Sequence, residues 1–170
     1  MISKEFIILN KTTLSTENFQ SIKNDSFNKP MGGLWASPYE LDTRYISDWH
    51  RFCDESALID AISNDSISLK LKETSNIFII EDQKDLINLV NLVGIEESIM
   101  ARSVRSTICP DFEKASMLFD AIYLTKNGLR HTRSPIDNYK YNLYSWDCES
   151  ILILNFNCIE MWKYKKLDII

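Results

Sequence analysis

The chain has little of what usually announces a catalytic or structural motif. Of its 170 residues only four are glycine, four proline and two histidine. Gly32-Gly33 is the one glycine pair, and Leu34-Trp35 follows it rather than the Gly-Lys-Ser of a phosphate loop. The four cysteines, at 53, 109, 148 and 158, form no C-x-x-C pair. Together with His50 and His131 they are too scattered for a zinc cluster, so no metal is expected. No run approaches the ~18 apolar residues of a membrane span, and the opening MISKEFIILN has no secretory pattern. These absences lead to the expectation of a cytoplasmic protein with reduced thiols and no membrane partner. Positive charge is also scarce: 19 Lys and Arg against 24 Asp and Glu leave a net charge of −5. That balance argues against a broad nucleic-acid-binding surface, although one basic pocket for a small anion is compatible with it. Lys163, Lys165 and Lys166 read as a solvated end.

What is present is the material of a folded domain, 45% hydrophobic and 25% charged. The length suits a single domain over residues 1–170. Short apolar runs predict strands at residues 5–10, 34–37, 67–72 and 76–80. Tyr45, Ile46, Trp49 and Phe52 recur at helical spacing, predicting a helix from Asp42 to Cys53 with Trp49 and Phe52 in the core. Asp82 is a good cap for a helix carrying Leu86, Leu89, Val90 and Val93 that stops at Gly94. Residues 12–28 read equally as a short helix or a loop. After Pro110, residues 111–118 read as a helix running into a strand over 119–125. Lys126 to Tyr144 reads as a long polar loop, of the kind that carries function or moves. A strongly apolar strand from Ser150 to Phe156 and a last one over 158–164 complete the chain. Strands and helices do not alternate cleanly, which favours α+β over a doubly wound parallel sheet.

The chemistry concentrates in Tyr144-Ser145-Trp146-Asp147-Cys148-Glu149-Ser150. Two carboxylates two residues apart precede an apolar strand, and they share a face if the strand has already begun. Neither His50 nor His131 has a nucleophile placed on a strand-to-helix elbow beside it. On pattern alone Asp147 and Glu149 read as polar residues at a strand entrance, or as an acid and base pair of a hydrolase.

Longer stretches carry a resemblance. Asp111-Phe112-Glu113 leads into Phe119-Asp120-Ala121-Ile122, and Glu149 opens the strand Ser150-Ile151-Leu152-Ile153-Leu154-Asn155, with Ile159 beyond it. This order resembles the C-terminal half of ADP-ribosyltransferase-like domains. Gly32-Gly33-Leu34-Trp35-Ala36-Ser37-Pro38 resembles their Gly-Gly-aromatic strand ending in Ser or Thr, and Tyr45 matches the tyrosine of the helix that follows. The resemblance covers about half the chain and rests on short motifs. It implies an α+β fold of two small, mostly antiparallel sheets around a cleft, with flanking helices. It further implies NAD as substrate, bound in that cleft. Glu149 would hold the nicotinamide ribose and favour the oxocarbenium-like transition state. Ser37 would support Glu149 or the ribose, Tyr45 would stack on nicotinamide, and Gly33 would let the backbone approach the ligand. The family's Arg or His at the end of the first strand is missing here. Lys11 stands near that place as a point charge, and Arg102 or Arg105 is the alternative. The acceptor of ADP-ribose would be a protein, a nucleic acid or water. A non-catalytic domain of the same fold, binding a protein or nucleotide, is the competing expectation.

Overall fold

The structure is a computed structural model that describes residues 5–9, 14–24, 29–40, 44–96, 109–133 and 141–167. Its frame is a mixed seven-stranded sheet of β1 (Phe6–Ile8), β2 (Leu34–Pro38), β3 (Asp65–Leu71), β4 (Ile77–Ile80), β7 (Ala121–Leu124), β8 (Ser150–Ile153) and β9 (Ile159–Lys166). Their order across the sheet is β4-β7-β8-β2-β1-β3-β9. A separate two-residue pair, β5 (Ile95–Glu96) and β6 (Cys109–Pro110), lies outside that sheet. Four helices accompany them among the described residues: α1 (Asp48–Glu55), α2 (Gln83–Val93), α3 (Phe112–Leu118) and α4 (Lys126–Thr132).

Only β4 and β7 run parallel, and every other pairing in the large sheet is antiparallel. The α+β expectation holds. The expected two small sheets are instead one continuous sheet, because β2 carries a neighbour on each side. Leu34, Trp35 and Ala36 pair with Ile153, Leu152 and Ile151 of β8, whereas Ser37 and Pro38 pair with Ile7 and Phe6 of β1. The strand thus changes partners at Ala36-Ser37, which joins one half of the sheet to the other.

Both faces of the sheet are covered, so the central strands read as unbroken apolar runs rather than alternating ones. Ile122, Leu124, Leu152 and Leu154 face a cluster formed with Leu86, Leu89 and Val93 of α2, Phe112 of α3, and Trp146. Their neighbours Ala121, Tyr123, Ile151 and Ile153 face the opposite way, with Phe6, Ile8, Ala36, Ile67 and Leu69. This period-two division decides where each site residue points.

Several local expectations are met by identifiable chemistry. Asp82 accepts hydrogen bonds from the Lys84 and Asp85 amides, and Gly94 ends α2 with φ of 82°. Asp111 accepts from the Lys114 amide and opens α3. Others shift. The helix expected from Asp42 starts only at Asp48, because Ser47 caps it by accepting from the His50 amide at 3.1 Å. Tyr45 and Ile46 therefore precede the helix. Trp49 and Phe52 are only partly buried and stack on each other at 5.6 Å, so they are not the core pair their spacing suggested. The 126–144 loop is in fact helical over Lys126–Thr132, about two turns: Thr125 caps α4 by accepting from the Gly128 amide at 3.0 Å. The 12–28 segment contributes a turn at 16–18 and a single bridge from Lys23 to Met31 among its described residues.

Candidate functional site

Glu149 is the residue immediately before β8, and its backbone lies just where β2 turns from β8 to β1. Side chains supply what the ladder does not. The Ser37 hydroxyl donates to the Glu149 carbonyl oxygen at 2.7 Å, across 112 residues of sequence. Asp48, at the first position of α1, accepts from the Glu149 amide at 2.9 Å. Asp48 is itself buried, and it is balanced by Arg51 one helical turn on and by Lys126 of α4, whose Nζ lies 3.8 Å away. A buried carboxylate needs such partners, since its desolvation is otherwise costly. The Glu149 backbone is thus fixed from two elements at once.

The Glu149 side chain points to the face shared by Tyr123 and Ile151. It is buried and accepts a hydrogen bond from the Tyr123 hydroxyl. Burial and then the bond to Glu149 push the Tyr123 hydroxyl far above its ordinary pKa, so it stays protonated and donates. Tyr123 packs edge-on against Phe6 with centroids 5.7 Å apart, which holds its ring. Asp147 points elsewhere. Its carboxylate lies 3.5 Å from Arg133 and 4.0 Å from Lys29. The two carboxylates do not share a face, because β8 begins at Ser150 and the chain before it is not yet extended strand. That separation removes the geometric basis for an acid and base pair.

Ser37 and Glu149 are therefore brought together, Ser37 through the Glu149 backbone. Gly33 immediately precedes β2 with φ of 63°, and a Cβ there would lie 2.6 Å from the Ile153 carbonyl oxygen. The close approach that requires glycine is thus to β8. Tyr45 lies beside α1: its hydroxyl donates to Asp54 at 2.7 Å, and its ring meets His50 edge-on at 5.3 Å. Lys11, Arg102 and Arg105 fall outside the described residues. Sequence reasoning missed Tyr123 and Asp48. The strand period places Tyr123 on one face of β7, and Ser47-Asp48 is a capping signal, but neither says that both meet Glu149.

A recess of about 190 Å³ lies beside this junction, lined by Ile7, Leu9, Trp35, Ser37, Trp49 and Cys148 among others. Cys148 is a buried, free thiol whose pKa is pushed up to about 12 by burial, so it is no ready nucleophile. Among the described residues no group of three or more His, Cys, Asp or Glu is placed to hold a metal ion. No helix among the described residues is long and apolar enough to cross a membrane.

Two consequences are measurable. Ser37→Ala removes the donor to the buried Glu149 carbonyl and should cost about 1–2 kcal/mol in urea denaturation. His50 is buried, which lowers its pKa below 6.5, and its Nδ1 accepts from the Ile46 amide at 3.4 Å. The folded state binds that proton less readily than the unfolded chain does. Its contribution is therefore complete above the unfolded pKa and is lost as pH falls through the lower folded value. Thermal melts from pH 7.5 to 5 should show Tm falling with acidity, with a shallower slope in His50→Asn. Equal slopes would show that His50 titrates alike in both states.

Comparison of the chain with protein-family models, with curated proteins and with solved structures finds no match to any of them.

Proposed function

We propose that this chain is an ADP-ribosyltransferase-like domain that binds NAD and cleaves its nicotinamide–ribose bond, with Glu149 as the catalytic carboxylate. One observation carries the reading. Ser37 on β2 donates at 2.7 Å to the backbone carbonyl of Glu149 just before β8, so the polar ends of the two stretches that resemble the family meet. The two stretches that resemble the family thus lie side by side in one sheet, which supports the reading. The recess with Trp35 and Trp49 in its lining reaches this junction through Ser37, Cys148 and Ser150 rather than through Glu149, and has the apolar, aromatic character of a small-molecule site.

In the proposed reaction the C1′–N bond breaks and nicotinamide leaves with the bonding electron pair. Positive charge develops on the ribose carbon, and a fixed carboxylate beside it lowers the barrier. A nucleophile on a macromolecule, or water, then bonds to C1′ and gives up its proton. Tyr123 holds the Glu149 side chain, while Asp48 and Ser37 hold its backbone, so they act as positioning residues.

A second reading has an observation of its own. The Glu149 side chain is buried and already engaged by Tyr123, the arrangement of a carboxylate that serves the fold. On that reading the domain binds NAD, a related nucleotide or a protein without turnover. Incubating the purified protein with NAD and following free nicotinamide separates the two. Release that depends on Glu149 supports the enzyme. A thermal shift with NAD or ADP-ribose and no release supports the binder, through mass action on the native state. With neither, the NAD reading is wrong.

A further inference from the structure

The recess beside Ser37 is not closed. Lys29 and Asp147 line it, and both also line a second, open cavity of about 540 Å³ whose other walls are Pro30, Met31, Arg133, Tyr144 and Ser145. The two spaces meet at one ion-pair group. Together they reach the ~300–1,000 Å³ of ordinary small-molecule sites. Trp35 and Trp49 line the inner part and Arg133 the outer one, while Lys29 and Asp147 line both.

The charge at this junction runs against that of the chain. The chain as a whole carries −5, yet among the described residues Lys29 and Arg133 here face one carboxylate, Asp147. Their pairing with it is loose. Arg133 reaches the Asp147 carboxylate and carbonyl at 3.5 Å, and Lys29 stands 4.0 Å from the carboxylate. Lys29 also lies over the Trp35 ring at 4.7 Å from its centroid, which steadies the ammonium at the boundary between the two spaces. All three charged side chains keep about a third of their surface in water, so each is free to re-pair with an incoming anion.

We propose that the joined cavities form one two-part site for a nucleoside diphosphate. Lys29 and Arg133 receive the diphosphate, a flat ring enters the Trp35 and Trp49 recess, and Asp147 is the resident anion that the diphosphate displaces. The geometry suits it: a point charge and a planar guanidinium, set on either side of one carboxylate, match two linked phosphates better than a single one. The inference rests on the NAD reading for the class of ligand alone, since Glu149 lines neither cavity, and it assigns the diphosphate to residues that carry no family motif.

The test is calorimetric titration of ADP, ADP-ribose, adenosine and inorganic pyrophosphate into the full chain and into Lys29→Gln, Arg133→Gln and Asp147→Asn. The partly exposed positions make all three variants compatible with folding, which thermal melts will check. ADP and ADP-ribose should bind at least about tenfold tighter than adenosine, an advantage that added salt reduces. Lys29→Gln and Arg133→Gln should each weaken ADP about tenfold and leave adenosine unchanged, whereas Asp147→Asn should tighten ADP and pyrophosphate severalfold. Equal affinity for ADP and adenosine overturns the proposal, as does wild-type ADP binding in both cation variants or no binding at all. Nicotinamide release measured in parallel separates the two ideas. Release with an unchanged KM in both cation variants removes the diphosphate assignment and leaves the NAD reading standing. ADP binding that needs Lys29 and Arg133 without any release keeps the site and removes the catalytic reading.

Discussion

Glu149→Gln should lower the rate of nicotinamide release from NAD by about a hundredfold or more while leaving the fold intact. The size follows from what the substitution removes. A fixed charge facing a developing opposite charge in a water-poor site is worth several kcal/mol, and loss of even one well-placed dipole costs a factor of ~10²–10³. The fold survives because glutamine keeps an oxygen where Glu149 accepts the Tyr123 hydroxyl. Its backbone bonds to Ser37 and Asp48 are untouched. Glu149→Ala is the informative contrast. It leaves the Tyr123 hydroxyl without that acceptor in a buried place, at about 1–3 kcal/mol, and so loses stability along with activity. Rates from single-turnover release, read beside Tm, keep the two effects apart. Unchanged turnover in Glu149→Gln would take the carboxylate out of the chemistry. A Glu149→Gln protein as unstable as Glu149→Ala would show that its negative charge, not its oxygen, serves the fold.

How far the site was legible from the residues depends on range. The strands were readable because both faces of the sheet are buried, so Ile151-Leu152-Ile153-Leu154 and Ala121-Ile122-Tyr123-Leu124 stand out as apolar runs. The α2 helix was readable because its ends carry their own signals, Asp82 and Gly94. Glu149 and Ser37 were found by local motif. Their partners were not, since Tyr123 is 26 residues from Glu149 and Asp48 is 101 away, and only the sheet order brings them together. The direction of Asp147 turned on a single residue, the position at which β8 starts. The α4 helix was hidden by Gly128, a residue that normally argues against a helix. Thr125, an N-cap at the end of an apolar strand, was the signal that outweighed it.

Gly128→Ala should destabilise the protein by about 3 kcal/mol or more, against the trend of helix propensity. In an isolated helix the change would stabilise by nearly 1 kcal/mol. Here α4 passes so close to β4 that an added Cβ would run into the Ile80 carbonyl, whose carbon would lie 2.9 Å away, with Leu124 Cδ1 at 3.0 Å. Neither neighbour can yield cheaply. The Ile80 carbonyl accepts from the Thr125 amide at 3.1 Å and hydroxyl at 3.2 Å, and the Ile80 and Leu124 side chains are fully buried. Overpacking of that kind usually costs ~1–3 kcal/mol, and more when backbone must shift. Urea denaturation should show a lower midpoint at an unchanged slope, whereas Arg130→Ala on the exposed side of the same helix should stay within about 0.5 kcal/mol. A Gly128→Ala protein as stable as wild type would mean that α4 lies farther from β4. The effect should also reach the site, because α4 carries Lys126 to Asp48, and Asp48 holds the Glu149 amide. Moving α4 off Ile80 loosens that chain of contacts, so at temperatures where the variant remains folded, nicotinamide release should fall as well.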